Sequence, residues 1–341
     1  MMKYTFWNNK GGTGKSSLAF QTITEYAIKF PEKKILTIDL CPQANLSELF
    51  MGGLLGNGST NLNNLTTPTS VCTIGGYFQD RFSNPYNTPT INASNYISNP
   101  SAVNSKIPVN IDLIAGDRIV ELQSNSISAL SITQIPGIDT YLKIIDWVND
   151  LVNASNQLNS YDDVFIDTNP SFAIYTQIAL AATDRIIAPV MADDSSRRAL
   201  TNIYSLVYGL NLPSAIYNQY AFHTKLTTAG RQLPKIHLII KNRLTQYMGP
   251  ASAYASVLTS IDNDLNAVLA SHPQHFTFNN ISDGVVDVRD FQTTGVVAFA
   301  EATPFSMLVK GDHHLFGNKT KIQDPNWQNC IDAISGVVTK L

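Results

Sequence analysis

Lys10-Gly11-Gly12-Thr13-Gly14-Lys15-Ser16-Ser17 decides how the chain must be read. In front of it stands an apolar-aromatic run, Tyr4-Thr5-Phe6-Trp7, closed by Asn8 and Asn9. Behind it Leu18, Ala19, Ile23, Tyr26 and Ala27 recur at helical spacing until Pro31 breaks the pattern. Strand, glycine turn and helix in that order make a phosphate-binding loop. Glycines let the backbone approach an anion, and N–H groups of the turn and of the helix N-terminus point at it, aided by the helix dipole. In such a loop Gly11, Gly12, Thr13, Gly14 and Ser17 line the cradle, Lys15 reaches the terminal phosphates and the Ser16 hydroxyl ligates Mg²⁺. A plain surface turn accounts for glycine and lysine, but not for the strand before and the helix after.

Further strands carry acidic ends. Lys34-Ile35-Leu36-Thr37-Ile38-Asp39 reads as a buried parallel strand. It places Asp39 at its carboxyl end, where functional groups of open α/β sheets gather. Val164-Phe165-Ile166-Asp167, followed by Thr168-Asn169-Pro170-Ser171, puts Asp167 in position to hold Mg²⁺ through a water. Val109 to Gly116, Asp184 to Val190 and Lys235 to Arg243 read as more strands. Helical patterns fall at Leu142 to Val152, Ser195 to Leu210, Tyr254 to Leu269, and through Trp327, Ile331 and Val337. The expected fold is three-layer α/β, a mainly parallel sheet with helices on both faces, in a single domain over residues 1–341.

Residues 52–110 differ in texture. They are rich in Asn, Ser, Thr, Gly and Pro, and their only charges are Asp80, Arg81 and Lys106. So little charge argues against a solvated disordered segment. We expect an insertion packed on the core, with a short element around Ile74 and Tyr77-Phe78.

Across 341 residues the charged fraction is 14% and the formal net charge −3, so no global basic field announces nucleic acid. Cys41, Cys72 and Cys330 are scattered and odd in number, which fits a reducing compartment and not a disulfide framework or a zinc knot. No apolar run reaches the ~18 residues of a membrane span, and no signal peptide precedes the first strand, so a cytoplasmic location is expected. His313-His314 beside Asp312 is the one histidine cluster, read as a solvated loop.

With Lys10 in it and Asn9 where the regular box has glycine, K-G-G-T-G-K-S resembles the deviant Walker A box of the ParA/MinD family of P-loop ATPases. Asp39-Leu40-Cys41-Pro42-Gln43-Ala44-Asn45-Leu46-Ser47 is similar to that family's D-x-D-P-Q-x-N-L-[ST], and Asp167-Thr168-Asn169-Pro170 to its D-[TC]-P-P. The resemblance implies ATP and Mg²⁺ as cofactors, with Ser16, Asp39 and Asp167 on the metal side. Lys10 would reach across a dimer interface to the partner's nucleotide, and Asn242, at a strand end, would recognise the adenine edge. Catalysis would fall to Lys10, Lys15, Asp39 and the second aspartate of the motif, where this chain has Cys41. A thiol with an ordinary pKa of about 8.5 is a poor water-positioning base; Asp39, two residues earlier on the strand, is expected to project to the same face.

The D-L-C-P-Q-A-N-L-S segment leans to the ParA side. That implies an ATP-sandwich homodimer that positions plasmids, chromosomes or large cargo, with a ParB-like or other adaptor. Non-specific DNA is a further candidate partner, through Arg197, Arg198, Lys225, Arg231, Lys235, Lys241 and Arg243, and would bring nucleoid association. MinD-like members end in an amphipathic membrane helix, and Ile331 to Leu341 lacks the basic face such a helix needs, so no membrane partner is expected. The alternative is a nucleotide-gated binding protein whose hydrolysis is impaired by Cys41. Bacterial tyrosine kinases share the loop but carry a C-terminal tyrosine cluster, and no tyrosine follows Tyr254.

Overall fold

The computed structural model describes residues 1–67, 70–244 and 251–341; Pro68 and Thr69, inside the segment expected as an insertion, lie outside the described residues. Seven strands form the main sheet: β1 (Met2–Phe6), β2 (Ile35–Asp39), β3 (Ile111–Ile114), β4 (Asp163–Asp167), β5 (Arg185–Met191), β6 (Lys235–Leu244) and β7 (Val285–Arg289). Their order is β3-β2-β4-β1-β5-β6-β7 and every pairing is parallel. Strands of this kind are buried on both faces, which is why Ile35-Leu36-Thr37-Ile38-Asp39 is buried throughout. Alternate residues serve opposite layers. Val164 and Ile166 pack in one core with Ile38, Trp147 and Ile178, whereas Phe165 joins Phe6, Leu18, Ile23 and Ile334 in the other.

The helices that matter for the site are α1 (Lys15–Lys29), α2 (Asn45–Phe50), α3 (Ile74–Arg81), α4 (Ile119–Ile132), α5 (Thr140–Ile145), α6 (Trp147–Asn159), α7 (Ile174–Ala181), α8 (Asp194–Tyr208), α9 (Ala251–Ser271), α10 (Gln292–Ala300) and α11 (Asp324–Val338). The structure differs from the sequence reading in several places. Helix α4 has no counterpart in that reading, because the positions it buries, Val120, Gln123, Ile127 and Ser131, are half polar. The single helix expected from Leu142 to Val152 is two, interrupted at Asp146, whose carboxylate lies 2.6 Å from Arg231. His313-His314 belongs to a strand of an antiparallel hairpin, Gly311–Leu315 with Asn318–Ile322, where His313 Nδ1 stands 2.6 Å from Glu301 Oε1.

The low-charge segment holds to the core through α3. Ile74, Tyr77 and Phe78 are buried there, with the Phe78 and Trp147 rings 5.8 Å apart. Tyr77 donates its hydroxyl to the Trp147 carbonyl at 2.6 Å, and the Trp147 indole donates to Pro85 O at 2.9 Å. One of the segment's few charges is also buried. Arg81, 2% exposed, pairs with Asp150 of α6 at 2.8 Å and donates to Tyr77 Oη and Asn87 O. Removing one partner of a buried pair strands the other charge, at a cost of about 3–5 kcal/mol. Asp150→Ala is therefore expected to lower the urea unfolding free energy by about that much, while the double variant Arg81→Met/Asp150→Leu, which leaves neither charge stranded and keeps the volume, loses clearly less. Equal losses in the two variants would show that the ion pair does not organise the contact.

Candidate nucleotide site

Strand β1 ends at Phe6 and the chain turns through the phosphate loop into α1. Gly12 (φ 74°) and Gly14 (φ 82°) take the left-handed conformation that favours glycine. Gly14 occupies the N-cap of α1 without a side-chain cap, so no side chain competes for the amides of the first turn. Above the loop lies a cavity of about 420 Å³. Its lining includes Gly12 to Ser17, then Cys41, Thr168, Asn169 and Pro170, and also Glu48, Leu49, Leu54, Arg243 and Phe299. In the strand order β4 flanks β1 on one side and β6 lies on the other, so Thr168 and Arg243 mark opposite ends of the cleft.

Parallel register sets the chemistry of the first end. Asp39 and Asp167 are partners across β2 and β4, and both are fully buried. Ser16 donates its hydroxyl to Asp167 Oδ2 at 2.6 Å, while Asp167 Oδ1 is buried with no hydrogen-bond partner. A hydroxyl beside a carboxylate with an unused oxygen suits a hard divalent cation such as Mg²⁺. Asp39 stands differently. Its Oδ1 accepts from Cys41 N at 3.0 Å, and its Oδ2 accepts from Ser47 N and Oγ at 2.9 and 2.8 Å. Ser47 Oγ in turn accepts from Gly116 N at 2.8 Å, tying β2 to the end of β3. Asp39 thus shapes the loop that follows it.

Burial pushes both carboxyls up, and the nearby Asp39 charge raises Asp167 further. Burial lowers Lys15, whose Nζ donates to Lys10 O at 3.2 Å. Cys41 lies past the end of β2, in the turn closed by Ala44 N to Cys41 O, and not on the same strand face as Asp39. Burial and the charges of Asp39 and Asp167 push its thiol up to about 12, so it is neutral at physiological pH and is no general base.

The AAA_31 family, described as an AAA domain, matches residues 1–214 of the chain. The chain belongs to the ParA/MinD-type family of P-loop ATPases. Among solved structures it is similar to the ATP complex of a Cyanothece McdA variant, at 13% identity and TM-score 0.63 over 100% of this chain and 96% of that one. Apo McdA of Cyanothece matches at 14% identity and TM-score 0.60, covering 99% of both chains. A plasmid partition protein of Borrelia burgdorferi bound to AMPPNP matches at 17% identity and TM-score 0.55, over 100% of this chain and 99% of that one. At these identities the likeness is one of fold. Curated proteins return no match.

Lys10 stands at the rim of the loop. Its amine is bonded to the Asp193 carboxylate and, at 3.2 Å, to Ser196 Oγ, at the N-terminus of α8. Burial alone would raise Asp193, but the hydrogen bond from Lys10 and those from Ser196 and Ser195 outweigh it and hold the carboxyl at about 2. Asn242 also bonds within the chain: its Nδ2 donates to Thr13 O at 2.9 Å and its Oδ1 accepts from Arg243 N at 2.9 Å, which leaves one N–H and one lone pair of the amide unused by those bonds. Several of the candidate DNA cations have partners within the chain. Arg197 and Arg198 pair with Asp194, Arg231 with Asp146 and Lys241 with Asp262; Lys225 lies 3.8 Å from the Tyr141 ring centroid and Arg243 lines the cleft. Leu54, Arg243 and Phe299 as lining residues escape a sequence reading, since nothing local ties them to the loop; the Gly52-Gly53 turn is the one available signal.

The buried carboxyl pair has a pH signature. A carboxyl raised in the folded chain keeps a proton that the unfolded chain releases above about pH 4. That stability is present below the unfolded value and is lost as pH rises toward neutrality. In nucleotide-free protein the melting temperature is expected to fall from about pH 5 to about pH 7.5, and Asp167→Asn to flatten the decline. Calorimetric melting at several pH values checks this; identical slopes in the two proteins would show that the pair does not titrate there.

Proposed function

We propose that the chain is a ParA-like ATPase that binds ATP with Mg²⁺, closes as a nucleotide-sandwich homodimer, and in that state positions plasmid DNA or another large cargo through a ParB-like adaptor. The observation that carries the reading is the open phosphate loop with Lys10 at its rim. Gly11 and Gly12 are exposed, and a Cβ built on Gly12 would meet nothing within 4 Å, so a second chain can approach the loop closely. Lys15 is the loop's own amine. Lys10 stands beside the loop in an ion pair that is partly exposed, with side-chain exposures of 21% and 41%, and so is exchangeable for a partner's phosphate. Mg²⁺ held by Ser16 and Asp167 would neutralise phosphate charge. Lys15 would bind the terminal phosphates, and Lys10 would supply a further cation in trans. Nucleotide is bound in the McdA complex and in the Borrelia partition protein of the same fold, which supports ATP here. No helix among the described residues is long and apolar enough to cross a membrane. A cytoplasmic location, or a nucleoid one if DNA is the matrix, follows from the reading.

Light scattering with a slowly hydrolysed ATP analogue tests it. The wild-type mass is expected to double, and Lys10→Ala to stay monomeric while still binding nucleotide in a calorimeter. A dimer of normal stability in that variant would refute the trans role.

Cys41 favours a second property, slow hydrolysis. The thiol lines the cleft yet stays protonated, and Asp39 already uses both oxygens within the chain. A missing general base costs about 10²–10⁴-fold in rate. Cys41→Asp is expected to raise the single-turnover rate by at least about tenfold. If the two proteins hydrolyse ATP equally fast, the water is organised by other groups.

A further inference from the structure

The phosphate loop leaves the carboxyl end of β1, and the sheet is parallel, so the amino ends of β1, β5 and β6 meet at the opposite edge. Main-chain bonds fix that edge. Asp184, just ahead of β5, donates its N–H to Lys3 O at 2.9 Å and accepts from Lys235 N at 3.0 Å through its carbonyl. Its Oδ2 accepts from Lys3 N at 2.9 Å. Lys3 and Lys235 are thereby held on the two strands that flank β5. Beside them lies a cavity of about 370 Å³, whose lining also takes Asp184, Arg231 from the segment ahead of β6, and Asn149 from α6. It shares no lining residue with the nucleotide cleft.

Charge does not balance in this cavity. Three cations line it, and Asp184 is the one acid in its lining. Arg231 is answered from outside, by Asp146 Oδ1 at 2.6 Å. Two lysines then share a single carboxylate, and Lys3 Nζ stands 3.7 Å from it, too far for a hydrogen bond. Lys235 Nζ and the Asn149 side-chain amide make no hydrogen bond among the described residues. Like charges gathered so repel one another, and an anion between them removes the repulsion and takes up the idle donors. A guanidinium grips the plane of one carboxylate by itself. Here donors arrive from β1, β6, α6 and the segment at Arg231, a spread of directions that suits the several oxygens of a phosphate.

We propose that this cavity is a second anion site, separate from the phosphate loop, which binds a small phosphorylated ligand through Lys3, Arg231, Lys235 and Asn149. The side chains of Lys3 and Arg231 are only 19% and 26% exposed, so their donors are recessed. A small ligand enters such a recess more readily than the backbone of a DNA duplex does. The site does not depend on the nucleotide reading, because no group of the phosphate loop takes part in it.

Calorimetric titration with pyrophosphate tests it, in a Lys15→Ala background that removes the phosphate loop's own amine. Pyrophosphate is expected to bind that protein. Adding Lys235→Ala, at an exposed position, or Lys3→Gln, which keeps the main-chain bond to Asp184, should weaken it about tenfold. Lys235→Arg should retain most of the affinity, and Lys235→Ala in otherwise wild-type protein should leave ATP binding unchanged. No binding to the Lys15→Ala protein would overturn the site, as would unaltered binding when both Lys235→Ala and Lys3→Gln are added. Citrate bound as tightly as pyrophosphate would show that charge alone is read and overturn the phosphate assignment. Duplex DNA that displaces pyrophosphate at matched salt would make a nucleic-acid backbone the occupant and overturn the small ligand.

Discussion

Two buried carboxylates, level with each other at the ends of neighbouring parallel strands, are the constraint around which the molecule is arranged. Asp39 and Asp167 are register partners with no exposure to solvent, a costly arrangement unless their charge is answered. The answers come from the phosphate loop and the turns beside it. Ser16 serves Asp167; Ser47 and the Cys41 amide serve Asp39. Parallel pairing is what makes this possible, since it brings every strand's carboxyl end to the same edge of the sheet, where β1 opens into the loop. One oxygen of Asp167 stays without a partner, and that residual deficit is the structural reason to expect a cation there.

Much of the remaining architecture keeps this edge open and deep. The low-charge segment after α2 would be a burden on a small sheet. Here it is locked down by aromatic packing on α6 and by the Arg81–Asp150 pair. Its first turn then forms part of the cleft wall. The segment following Asp167 is also linked outward: Asn169 bonds Tyr175, which bonds Glu121 of α4 at 3.2 Å. A change at the phosphates thus has a hydrogen-bonded route to a surface helix.

On the proposed reading Lys10 is a cation held in readiness for a partner. Its partner Asp193 opens α8, and that carboxylate also accepts from the Ser195 hydroxyl and the Ser196 amide, as an N-cap does. Were Lys10 to leave, Asp193 would keep those bonds and its place at the helix dipole. Release therefore costs less than breaking an isolated ion pair would suggest.

Residues close together in the chain determined the phosphate loop, the family and the succession of strands and helices. Lys10 to Ser17 carries its own glycines, its own cations and its own helix, so its physics is local and legible. Strands β2 and β4 were equally plain, because continuous apolar runs ending in aspartate have few other uses. Helix α4 was hidden because two of the positions it buries, Gln123 and Ser131, are polar, and their burial is decided by neighbours and not by their own hydrophobicity. What a side chain does once it arrives was decided by the tertiary structure. Asn242 stands at a strand end, as expected, and one N–H of its amide bonds Thr13 O, 229 positions away. Cys41 is a neutral thiol because the fold buries it beside two carboxyls. Leu54, Arg243 and Phe299 become walls of one cleft only through sheet order and the seating of a glycine turn on α10. Hydrogen-bond partners and burial are set across the whole sheet, whereas spacing and periodicity act only along the chain.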